Sequence, residues 1–122
     1  QIRRDGRYVN AMKVIRHESI KKDIKDLKRF PAPRESLEAW ERFFCFKGLS
    51  ETPAIEVYPG FGEYKIYKGR VVAMKENVGK AKGYRVIFQM ITVDCYKIVA
   101  FSRHGVYHSE KELMDIIKVR IK

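Results

Sequence analysis

Apolar positions recur along the chain with two periods, and the change from one to the other marks its plan. Met12-Lys13-Val14-Ile15-Arg16-His17 carries β-branched residues at its centre and predicts a short strand. Ile20, Ile24 and Leu27, with Phe30 after them, then fall three or four residues apart, one stripe along a helix opened by Glu18 and Ser19. Phe30-Pro31-Ala32-Pro33 stops that helix, because proline restrains the residue before it and donates no hydrogen bond. Pro33 suits the first turn of a second helix, whose stripe is Leu37, Trp40, Phe43 and Phe44 and whose closing residue is Gly48. Residues 49–63 carry Pro53, Pro59, Gly60 and Gly62 and predict a loop, tied to the body by Ile55, Val57, Tyr58 and Phe61.

From Tyr64 the period shortens to two. Tyr64 to Lys68 alternates, Gly69 interrupts, and Arg70 to Met74 continues; Tyr84 to Ile91 and Tyr96 to Ser102 follow as strands around a turn at 93–95. Ser109 with Glu112 three residues on is a capping-box pattern, ahead of a final helix with Leu113, Ile116, Ile117 and Ile121 as its apolar face. The prediction is an α+β domain over 12–122. An N-terminal strand and a helix hairpin pack on a small, mainly antiparallel sheet, with a short C-terminal helix. Residues 1–11 read as a basic N-terminal arm or an expression remnant.

Composition changes this picture in one respect. The 122 residues hold 26 Lys and Arg against 15 Asp and Glu, a formal charge of +11, which favours a polyanionic partner. Between Tyr64 and Phe88 seven basic residues face one acid, Glu76, so more than half of the excess sits in one meander. No run nears the roughly 20 apolar residues of a membrane span. No signal-peptide core is apparent, so the expected location is cytoplasmic, with no membrane partner. Cys45 and Cys95 are expected as reduced thiols, since nothing in their spacing supports a disulfide.

The chemistry centres on Gly79-Lys80-Ala81-Lys82-Gly83-Tyr84-Arg85-Val86-Ile87-Phe88. If Val86 and Phe88 face the core, alternation sends Arg85, Ile87 and Gln89 to the opposite face. A guanidinium fixed on a strand, beside a lysine turn, can hold a phosphate in register; a solvated arginine on a sheet face is the plain alternative. The turn Ser102-Arg103-His104-Gly105-Val106-Tyr107-His108 adds an arginine, a phenol and two imidazoles. Histidine titrates near neutral pH and can serve as base or acid. A zinc site from His104, His108 and Cys95 lacks a fourth ligand and any metal spacing, so no metal is expected. No phosphate-binding or dinucleotide glycine pattern occurs either, and no cofactor is expected.

This order of elements resembles the RelE/ParE toxin superfamily of type II toxin–antitoxin systems. The stretch from Gly79 to Phe88 is similar to the GK-x-x-G-[YF]-R-[VI]-I-[YF] pattern of RelE-like and HigB-like members. The resemblance implies a microbial RNase fold and an mRNA interferase that cuts mRNA on the ribosome. In that chemistry the RNA 2′-hydroxyl attacks the neighbouring phosphate without a metal. It implies Arg85 as the arginine on the scissile phosphate, Lys80 and Lys82 as the lysines before that strand, and Arg103 and Tyr107 as the second arginine and the tyrosine. The arginine-to-tyrosine spacing here is shorter than in the best-known RelE, so the proton-transfer role stays open among Tyr107, His104 and His108. Lys65, Lys68 and Arg70 join Lys80 and Lys82 as the expected nucleic-acid-binding set.

The implied partners are mRNA, the ribosome and a cognate antitoxin that folds across the basic sheet, with a homodimer as a further expectation. The helix from Ser109 is expected to be weakly held and to shift when the antitoxin binds. Two other readings stand beside the enzyme. One is a catalytically silent member of the fold that grips nucleic acid or inhibits gyrase. The other is a basic interaction protein whose C-terminal helix docks elsewhere.

Overall fold

A computed structural model describes residues 12–79, 82–107 and 109–121. The elements run β1 (Lys13–Arg16), α1 (Ile20–Asp26), α2 (Pro33–Glu51), β2 (Ile55–Val57), β3 (Ile66–Val71), β4 (Tyr84–Thr92), β5 (Cys95–Arg103) and α3 (Glu110–Arg120). They form the α+β arrangement that the two periods predict, with one five-stranded sheet in the order β1-β5-β4-β3-β2. β1 lies parallel to β5, and every other pairing is antiparallel. No helix among the described residues is long and apolar enough to cross a membrane.

Both faces of the sheet are covered. Val86 and Phe88 of β4 pack beneath Trp40 and Phe44 of α2, with Tyr96 and Phe101 beside them. Ile87 turns the other way, into a second cluster with Tyr58, Phe61, Val99, Leu113 and Ile117, under α3. Each of these large side chains contributes about 1.5–3 kcal/mol when buried, so neither cover is dispensable. The register between β4 and β5 slips at Val99: Ile87 pairs with Ala100 and Phe88 with Ile98. That extra residue lets Val99 and Ala100 both join the cluster under α3.

Several details depart from the sequence reading: the strand expected to continue from Arg70 to Met74 stops at Val71, and β5 opens at Cys95, inside the expected turn. The stretch read as a loop contains β2, whose three residues pair with Tyr67, Lys68 and Gly69. Three residues are too few for a period to register. Gly69 does not interrupt β3 but sits inside it. A Cβ there would meet Val86 Cγ1 at 3.2 Å and Trp40 Cζ2 at 3.5 Å, so its bareness lets the indole settle on the sheet. α1 ends at Asp26, and the chain reaches Phe30 through tighter turns, with Leu27 N–H donating to Ile24 C=O and Phe30 N–H to Leu27 C=O. Gly48 has φ 79°, which breaks the helical path as a terminal glycine would, yet a last helical turn carries α2 on to Glu51.

Where β1 stops at Arg16, the edge of β5 is taken over by side chains. Asp23 of α1 accepts from Phe101 N–H at 3.0 Å, and Arg120 of α3 donates to Val99 C=O at 3.0 Å. The two close on each other, Nη1 to Oδ2 at 2.7 Å and Nη2 to Oδ1 at 3.0 Å. This buried pair stands in for a missing strand and ties both helical layers to the sheet.

Candidate nucleic-acid interface

Arg85 lies one residue into β4, on the α3 face, as alternation from Val86 and Phe88 predicts. Directly opposite it in β3 stands Arg70, and two residues from that, on the same face, Lys68. Cations placed opposite one another repel, so this corner of the sheet favours an anion. Glu110 supplies one. Its Oε1 takes a hydrogen bond from Arg85 Nη1 at 2.7 Å, and its Oε2 one from the Tyr58 hydroxyl at 2.6 Å. The bonds from Tyr58 and Arg85 hold the Glu110 carboxyl below its ordinary range. Burial, then the bond to Glu110, pushes the Tyr58 phenol up and keeps it neutral. Lys68 Nζ completes the corner, 5.3 Å from the Tyr58 ring centroid and 3.8 Å from Glu56.

Ser109 and Glu110 belong to the start of α3, and the helix begins there because of local chemistry. Ser109 is extended, and its hydroxyl accepts from Glu112 N–H at 3.1 Å, satisfying one of the free donors of the first turn. The helix start thereby brings the Glu110 carboxylate over Arg85.

Between β4, the end of β5 and α3 opens a cleft of about 330 Å³, bordered by Arg85, Ser102, His104, Tyr107 and Glu110. His104 is exposed, and Tyr107 is half-buried against the cluster under α3. Burial, followed by the nearby Asp23 carboxylate, pushes the Tyr107 phenol up to about 12. Such a phenol stays protonated at neutral pH, which suits a hydrogen-bond donor better than a base. A cation, an imidazole and a phenol therefore meet in one cleft with a carboxylate resting on the cation.

The other predicted residues are distributed differently. Arg103 also lines the cleft, but its guanidinium is engaged with groups of the helix-hairpin face. It forks onto Glu76 at 2.7 and 2.9 Å, donates to Lys82 C=O at 2.9 Å, and lies 4.2 Å from the Phe30 ring centroid and 5.0 Å from that of Tyr84. It pairs with Tyr84, one register step from Arg85, and the pleat sends neighbours to opposite faces. Lys82 is exposed beside Gly83, where a Cβ would collide with Val71 O, so the turn is pressed against β3. Lys65 precedes β3 at the end away from Arg70, roughly 17 Å along the strand, and does not join the cleft. Lys80 and His108 lie outside the described residues, as does the segment 1–11. Cys45, in α2, and Cys95, which opens β5, are free thiols. Among the described residues no group of three or more His, Cys, Asp or Glu side chains is placed to hold a metal ion.

The parts that Tyr58, Glu76 and Glu110 play as partners of this basic corner escaped the sequence reading. The helix dipole accounts for Glu110 on its own, and a tyrosine 52 residues away in the chain gives no local sign that it shares the same carboxylate. No family model, no curated protein and no solved structure matches the chain.

Proposed function

We propose that the protein is a RelE-type toxin of a type II toxin–antitoxin system, an endoribonuclease that cleaves mRNA on the ribosome. What supports the reading is the cleft in which Arg85, His104 and Tyr107 meet, with the Glu110 carboxylate occupying the position an anionic phosphate oxygen would take. A phosphate that displaces Glu110 meets a guanidinium already aimed by the strand, with Arg70 and Lys68 beside it for the neighbouring backbone. His104 then exchanges the proton of the attacking 2′-hydroxyl or of the leaving oxygen. Tyr107, neutral at working pH, donates a hydrogen bond or stacks on a base. Lys82 and Arg103 act at the margin, Arg103 by bracing the turn that carries His104. The antitoxin of this proposal is an acidic segment that covers the same basic corner.

A second reading, a catalytically silent binder of nucleic acid or of gyrase, is favoured by one observation: Arg103, although it lines the cleft, forks onto Glu76. Primer extension on mRNA from translating extracts separates the two. Ribosome-dependent cuts by the wild type, abolished in Arg85→Ala, support the toxin. Absence of cuts from folded wild type that still binds RNA with steep salt dependence assigns the silent binder.

A further inference from the structure

A second groove, of about 240 Å³, lies between α2 and the end of β3 and shares no catalytic candidate with the Arg85 cleft. Ala39, Trp40 and Phe43 form one wall, Val72 and Met74 the other, with Arg70 also in the lining. Phe43, Val72 and Met74 are all exposed, although each is large and apolar. Three polar features accompany this apolar channel. The Trp40 indole Nε1 is buried without a hydrogen-bond partner, which is costly for a donor. Arg70 is exposed and has no ion pair among the described residues. The third feature is main chain left open where the chain runs on past the end of β3 at Val71. Alternate residues of β3 turn their main chain towards β2, so that Tyr58 N–H donates to Ile66 C=O and Arg70 N–H to Ala54 C=O. Val72 is next in that series and faces the same side. There the preceding chain offers it nothing: Pro53 has no N–H, and Thr52 gives both its N–H and its hydroxyl to Gly48 C=O.

We propose that this groove is a docking site for an extended acidic peptide segment of a partner protein. The peptide pairs its main chain with Val72 and lowers an apolar side chain between Phe43 and Met74. It presents a carbonyl oxygen to Trp40 Nε1 and sets a carboxylate against Arg70. Strand addition supplies affinity through the main chain, and the adjoining pocket supplies selectivity. The charge of +11 favours an acidic partner over a basic one. This proposal does not depend on the chemistry of the Arg85 cleft, although it shares Arg70 with the corner beside that cleft.

Calorimetric titration with acetyl-Asp-Val-Phe-Asp-Val-amide and its Lys-for-Asp counterpart tests it. The acidic peptide is expected to bind at least about tenfold more tightly than the basic one. Trp40 is the sole tryptophan, so its fluorescence reports occupancy in the wild type directly. Ala39→Leu, which fills the channel, and Trp40→Phe, which removes the indole N–H and keeps the ring, are both expected to weaken the acidic peptide. Arg70→Glu, at an exposed site that does not threaten folding, is expected to reverse the preference between the peptides. Equal binding of both peptides, or none, overturns the proposal. So does N-acetylphenylalaninamide binding as tightly as the pentapeptide, which makes the groove a small-molecule pocket. Self-association in sedimentation that Ala39→Leu abolishes assigns the groove to a second copy of the chain and overturns it as well.

Discussion

Two arginine–carboxylate pairs of equal length lie on this sheet and do different work. Arg120 and Asp23 meet at 2.7 Å, with side chains 12% and 2% exposed; Arg85 and Glu110 also meet at 2.7 Å, with side chains 25% and 60% exposed. Asp23 has both oxygens filled by Arg120 and one shared with Phe101 N–H, so all its partners are protein groups. Glu110 hangs at a helix start, where water or another anion can replace it. The interaction is chemically the same, and burial decides whether it is a structural clamp or an ion pair open to solvent.

Breaking the clamp has the largest expected effect on folding. Asp23→Ala leaves Arg120 and the edge of β5 unpaired, and is expected to cost about 3–5 kcal/mol in urea unfolding. Arg85→Ala is expected to leave the unfolding midpoint nearly unchanged and, on the proposed function, to lower mRNA cleavage by about 10²-fold or more, as for loss of a charge-stabilising donor. A drop in stability like that of Asp23→Ala would erase the contrast between the two pairs.

Arg103 is the intermediate case and sharpens the comparison. The resemblance makes it a catalytic arginine, whereas its guanidinium stacks on Phe30 and Tyr84 and forks onto Glu76. The bond from Arg103 is the leading cause that holds the Glu76 carboxyl below its ordinary range. Arg103→Ala is therefore expected to lower stability by about 1–2 kcal/mol through the lost ring contacts. If cleavage falls while the unfolding midpoint stays put, Arg103 acts in the chemistry instead.

Glu110→Gln, like Arg85→Ala, is expected to change stability little, by less than about 1 kcal/mol, as for other exposed pairs. Its informative readout is pH dependence. The folded Glu110 carboxyl sits below its unfolded value, so its stabilising contribution is complete above the ordinary carboxylate pKa of about 4.3. It is lost as pH falls through the depressed folded value. Protonation over that window also releases Arg85, so salt-matched RNA affinity of the wild type is expected to rise there and that of Glu110→Gln to stay flatter. Identical profiles for the two proteins would show that Glu110 does not compete for Arg85.

Much of this arrangement was legible in the chain itself. The stripe of Leu37, Trp40 and Phe44, though not Phe43, which was read with it and lies exposed, the alternation through Val86, Ile87 and Phe88, and the Ser109 cap all express local periods that any folded form must respect. The face that Arg85 occupies follows from the same alternation. β2 was not legible, because three residues become a strand only when β3 lies alongside. The covering of the second face was hidden too: Tyr58 and Phe61 are far from Leu113 in sequence and share no repeat with it.

What the sequence by itself determined, then, is the order and type of the long elements, the concentration of positive charge in one meander, and the side of β4 on which Arg85 stands. The tertiary structure alone decided which charges are neutralised and by whom. It gave Glu110 to Arg85, Glu76 to Arg103 and Asp23 to Arg120, across separations of 25, 27 and 97 residues. Periodicity is a property of neighbours along the chain. Ion pairing, burial and main chain left open are properties of neighbours in space, and they exist only once the sheet has closed between its two helical layers.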